Sequence, residues 1–112
     1  MKRFCILGLL FLAAFSPAYG SCEKLSVQGK KIFCGTDVHK KLFGKMSRKY
    51  EKLIKSLEPF RAKSLSDEQA DFIKTYSYSC GTSNGLEQIR LCGRKRIEER
   101  TKVLAFRLAN PV

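Results

Sequence analysis

The stretch TDVHKKLFGKMSRKYEKLIKSL, residues 36–57, decides the fold. In it Val38, Leu42, Met46, Tyr50, Leu53 and Leu57 recur at spacings of three and four, which sets them in one stripe along a helix. Lys40, Lys41, Lys45, Arg48, Lys52 and Lys55 fall on the opposite arc. Thr36 or Asp37 suits the N-terminal cap, because a short side-chain oxygen accepts a bond from an otherwise unpaired backbone N–H. The pattern predicts a helix over about Val38 to Leu57, stopped by Pro59. A single helix with so long a stripe needs partners to cover it.

Those partners follow in the chain. A second helix is expected over about Asp67 to Ser79, with Ser66 and Gln69 as a capping box and Asp67 and Glu68 at the positive end of its dipole. Leu65, Phe72, Ile73 and Tyr76 form its apolar face, with Gln69 set among them. The turn-forming run Gly81-Thr82-Ser83-Asn84-Gly85 leads to a third helix, from roughly Leu86 to Leu108. Leu86, Ile89, Ile97, Leu104 and Leu108 line one face of it, and Asn110 and Pro111 end it. Gly93 interrupts that face, either admitting another helix at close range or marking a break. Between Cys22 and Cys34, Gly29, Lys30 and Lys31 weaken a helix, so a short helix or an irregular strap is expected there. No alternation of apolar and polar residues longer than a few positions suggests a strand. The fold class is all-α: a small disulfide-stapled bundle of three main helices plus an N-terminal strap.

The first twenty of the 112 residues stand apart from this pattern. Lys2 and Arg3 make a positive start, Ile6 to Phe15 an uncharged apolar run, and Ala18 and Gly20 supply the small residues that precede a cleavage site. This three-part arrangement is that of a secretory signal peptide over residues 1–20, cut after Gly20. The apolar run is short for a membrane anchor, which needs roughly 20 such residues. Lipid attachment at Cys22 is disfavoured by Tyr19, which stands where lipoprotein signals carry an aliphatic residue. The remaining residues, 21–112, form one domain. They keep 20 Lys and Arg against 10 Asp and Glu, a formal charge of +10.

Cys5 leaves with the signal peptide, and Cys22, Cys34, Cys80 and Cys92 remain. An even count in a small exported chain implies two disulfides, which supplement a thin core. With no CxxC pair and a single histidine, His39, a metal site is the poorer reading. Four cysteines allow three connectivities. Antiparallel packing of the first two helices would bring Cys34 toward Cys80, leaving Cys22 to bridge to Cys92. This nested pairing is the expectation, with the other two left open.

Taken in order, these residues resemble the lysozyme-inhibitor LprI-like domain family of small exported bacterial proteins. The resemblance rests on Cys22 near the mature N-terminus, Ile32-Phe33-Cys34, Leu42 and Tyr50 on the first helix, then Leu65, Gln69, Phe72, Ile73 and Cys80, and finally Cys92 with Arg96-Ile97. It spans nearly the whole of residues 21–112. The chain departs from the family where Phe72 replaces a usual tryptophan, Tyr76 a usual arginine, and Lys30-Lys31 a glutamate common before the second cysteine. The resemblance implies a periplasmic or extracellular location and, as partner, a protein such as lysozyme.

Charge complicates that implication. Common animal lysozymes are basic, and two positively charged surfaces repel over the Debye length of about 8 Å at physiological salt. An inhibitor therefore needs a locally neutral or acidic contact patch; Asp67, Glu68 and Asp71 are the acidic candidates, although helix-dipole complementarity also accounts for them. The alternative is a cationic binder of polyanions or anionic membrane surfaces, using Lys40, Lys41, Lys45, Arg48, Lys52 and Lys55 with Arg94, Lys95 and Arg96, supported by Arg100 and Lys102. A charged arc opposite an apolar stripe is also what any solvated helix shows. Enzyme chemistry has little footing. His39 has no nucleophile or second acid at a useful spacing, and glycine-rich phosphate or oxyanion loops are lacking. It is expected as a first-turn residue at the core edge, and Phe33, Phe43, Phe72, Tyr76 and Phe106 as core. The residues imply no cofactor, no metal and no small-molecule substrate, and leave the oligomeric state open.

Overall fold

A computed structural model of the chain describes residues 22–110. The expected signal peptide lies outside the described residues. A 3-10 turn at Cys22–Lys24 leads into four α-helices: α1 (Val27–Phe33), α2 (Asp37–Ser56), α3 (Pro59–Gly81) and α4 (Leu86–Ala109). Among the described residues there is no strand, and no helix is long and apolar enough to cross a membrane. The fold is the expected all-α bundle of three main helices, and the strap contains one short helix.

Each helix starts for a local reason. Ser26 caps α1 by accepting from the Gly29 N–H, and Thr36 caps α2 by accepting from the His39 N–H at 3.1 Å. Glu58 caps α3, its carboxylate accepting from the Phe60 and Arg61 N–H groups. This corrects the expected start of the second helix. Pro59 not only follows the end of α2 but also occupies the first turn of α3, where its missing N–H costs nothing and its φ is already helical. The helix therefore begins eight residues before Asp67. Ser66 lies inside it and caps nothing, so the capping box is not formed. α4 starts at Gly85, whose φ of +86° requires glycine.

The buried face of α2 is rotated from the expected stripe. Its core side chains are His39, Phe43, Met46, Tyr50, Leu53 and Ile54, while Val38 is exposed and Leu42 and Leu57 are half-buried. Leu65, Gln69 and Ile73 of α3 and Ile89, Ile97 and Leu104 of α4 complete the centre. Leu86 and Phe106, expected inside, are exposed, Phe106 at 68%. α3 and α4 run antiparallel, as a ladder of contacts one turn apart shows: Cys80 with Cys92, Tyr76 with Arg96, Phe72 with Arg100. α2 runs alongside α4, tied at one end by the His39 Nε2–H donating to the Arg90 carbonyl at 2.8 Å.

The short α1 lies against the closed end of the α3–α4 hairpin. A Cβ at Gly93 would collide with the Ile32 carbonyl, so the glycine in α4 admits α1 and does not break the helix. Phe33 stacks there with Phe43 and Phe72, at ring centroid distances of 5.9 and 6.0 Å.

The nested disulfide pairing is not formed. Cys22 bonds to Cys34 with Cα atoms 6.1 Å apart, and Cys80 to Cys92 at 5.5 Å. Each bridge closes a local reversal. The first joins the 3-10 turn to the C-terminal end of α1, and the second clamps the two sides of the α3–α4 turn. The chain folds back within each interval, so each cysteine meets its sequence neighbour before it meets the distant pair.

Candidate anion-binding site

The basic residues of α2 sort by helix geometry. Lys41, Lys45, Arg48, Lys52 and Lys55 follow one another at spacings of four, three, four and three, and all five are exposed. At about 1.5 Å per residue the row is roughly 21 Å long. Lys40 is exposed as well, but lies off the row, toward the flank beside His39. Among the described residues no carboxylate lies within ion-pair distance of any of these six cations. A small depression lies between Lys45, Arg48, Lys49 and Lys52.

The second basic group is not gathered with the first. Arg94 pairs with Glu98 at 3.8 Å, and Arg96 pairs with Glu99 at 3.0 Å while its guanidinium lies over the Tyr76 ring. Lys95 is exposed on another side of α4. Three consecutive residues on a helix point in three directions about 100° apart, so the triplet is dispersed by geometry.

Arg100 leaves the basic surface altogether. It is 8% exposed, and its Nε–H donates to the Gln69 Oε1 at 2.8 Å. One of its Nη groups donates to Glu68 at 2.6 Å, and Arg107 donates to the same carboxylate oxygen at 2.7 Å. Gln69, fully buried, thus has the Arg100 side chain as its partner. Burial raises the pKa of Glu68, but hydrogen bonds and positive charge from Arg107 and Arg100 outweigh it and hold the carboxyl below its ordinary value. Position 100 falls on the stripe of Ile97 and Leu104, three residues after the one and four before the other, so the periodicity marks the place and only the charge of the side chain argued against it. The folded hairpin, which sets Gln69 and Glu68 opposite, accounts for a buried arginine there.

The acidic cluster is similarly engaged. Glu68 faces the two arginines, Asp67 pairs with Lys63 at 3.2 Å, and Asp67 and Asp71 line a depression that Lys24 and Lys74 also line. His39 sits in the first turn of α2, nearly buried, with Nδ1 accepting from the Thr36 hydroxyl at 2.7 Å and Nε2 bonded to the Arg90 carbonyl. Because a carbonyl only accepts, the proton is on Nε2, which joins α2 to α4, while Nδ1 is taken by the N-cap of its own helix. Thr36 thus orients the ring. Among the described residues no cluster of three His, Cys, Asp or Glu is placed to hold a metal ion. No family model, no curated protein and no solved structure matches the chain.

Proposed function

We propose that this chain is an exported, non-enzymatic binding protein that docks on anionic lipid surfaces through the outer face of α2. One observation carries this reading: the straight row from Lys41 to Lys55, free of carboxylate partners among the described residues. Neutralised side chains add nothing to long-range attraction, whereas each free cation near an anionic headgroup layer contributes about 1 kcal/mol within a Debye length. A linear row along the outside of a helix suits a plane better than a strand of polymer, which a groove would hold. The apolar side of α2 is occupied by the core, so docking is peripheral. Export is supported by the signal-like residues 1–20 and by two disulfides, which persist in oxidising compartments.

The inhibitor role implied by the LprI-like resemblance finds less support. It asks for a locally neutral or acidic patch, and of the acidic candidates Asp67 and Glu68 already face cations of their own domain.

The test is co-sedimentation with phosphatidylglycerol vesicles across a salt series, with neutral phosphatidylcholine vesicles as control. Binding should be strong at low salt and fall steeply as salt rises. Replacing Lys41, Lys45 and Arg48 together by glutamine should weaken it on the order of a hundredfold. Retention on heparin without vesicle binding would move the reading to a soluble polyanion. Inhibition of muramidase activity by a protein that ignores both would overturn it in favour of the inhibitor.

A further inference from the structure

The bundle does not close where the end of α2, the start of α3 and the end of α4 meet. A cleft of about 490 Å³ opens there, within the range of roughly 300–1,000 Å³ found for small-molecule sites. Leu53 and Leu65, nearly buried, and Leu57 and Leu108, half-buried, give it an apolar lining. Phe60 also lines it, yet 81% of that side chain's residue is exposed, an apolar surface with nothing over it among the described residues.

Charge at the cleft is one-sided. Arg61 and Arg107 line it, and Arg61 has no carboxylate within ion-pair distance among the described residues. The lining carboxylate, Glu68, is already shared by Arg107 and the buried Arg100. In the described lining two guanidinium groups stand against one carboxylate, which leaves an excess of positive charge. Glu58 does not line the cleft, and its oxygens turn to the backbone of α3.

We propose that this cleft binds a fatty-acid-like molecule, one alkyl chain laid along the leucines with its carboxylate held by Arg61 and Arg107. The apolar lining removes methylene groups from water, and the planar guanidinium forks match a carboxylate with paired donors. A headgroup at this position extends the existing Arg107–Glu68–Arg100 cluster without removing a partner from it. Lys41, Lys45 and Arg48 do not line the cleft. The site therefore goes beyond the surface docking proposed for α2 and does not depend on it.

The disulfide-bonded protein is titrated calorimetrically with octanoate, decanoate and dodecanoate, each below its micelle concentration. One molecule should bind per chain, with affinity rising roughly fourfold per added methylene until the cleft is filled. Decyltrimethylammonium, with the opposite charge, should bind far more weakly than decanoate. Arg61→Ala, at an exposed position, should weaken decanoate roughly tenfold with an unchanged melting temperature. Leu108→Gln should flatten the chain-length series. The Lys41, Lys45 and Arg48 to glutamine variant should bind decanoate as the wild type does. Equal binding of carboxylate and ammonium, affinity independent of chain length, or amide NMR shifts centred on the α2 row instead of the cleft would each overturn the proposal.

Discussion

Gly93 and Gly44 both lie inside helices, yet their surroundings make opposite predictions. A Cβ at Gly93 meets the Ile32 carbonyl, whereas one at Gly44 meets only the tip of Arg48 at 3.5 Å. Gly93→Ala should therefore cost about 1–3 kcal/mol through forced separation of α1 and α4. Gly44→Ala should stabilise by about 0.5–1 kcal/mol through helix propensity. Thermal or urea unfolding of the two variants checks both signs. Glu68 supplies a pH dependence. Its folded-state pKa is lowered, so its contribution is present above the unfolded value of about 4.3 and is lost as pH falls through the lower folded value. Wild-type protein should lose stability as pH falls below the unfolded value, and Glu68→Gln should start less stable and lose less over that range. Parallel melting curves for the two proteins would contradict this. None of it is legible from residue type alone, since Glu68 carries no mark in the sequence distinguishing it from Asp67 or Asp71.

At the level of the element, α3 is the instructive case. Ser66, Asp67 and Gln69 offer a good local start signal, but Glu58 and Pro59 offer another, and the earlier one wins because the added turns pack. Ala62 and Leu65 are both buried, so extending the helix backward adds apolar contact that a start at Asp67 would leave exposed. Glu58→Ala should cost about 0.5–2 kcal/mol as the loss of a cap, while Ser66→Ala, now in a helix interior, should cost no stability. Chemical denaturation separates these outcomes. The face of α2 was misplaced for a related reason. A spacing of three or four fits two neighbouring stripes on this helix, one through Val38 and Leu42 and one through His39 and Phe43. Tertiary contact selects the second, because His39 has the Arg90 carbonyl and Phe43 has Phe33 to meet.

Across the whole molecule, two short covalent loops hold a small core. Each bridge spans 12 residues, so each removes a similar amount of freedom from the unfolded chain, and losing either should cost about 2–5 kcal/mol. Cys34→Ser with Cys22→Ser, and Cys80→Ser with Cys92→Ser, should each leave the other bridge intact. Peptide mapping under non-reducing conditions should find only the Cys22–Cys34 and Cys80–Cys92 links. A cross-link between the two pairs would refute the local arrangement.

The amino-acid sequence by itself determined the helical class, the extent of α2 and α4, the existence of α3, the number of bridges and the exposed basic arc of α2. Those are set by short-range periodicity, turn residues and composition, which need no knowledge of the partner element. Tertiary structure alone decided which cysteines meet, that Arg100 bonds to Gln69 and Glu68, and that a leucine-lined cleft stays open beside Arg61. Each of these depends on the relative placement of residues far apart along the chain, and that placement is fixed only when the helices pack.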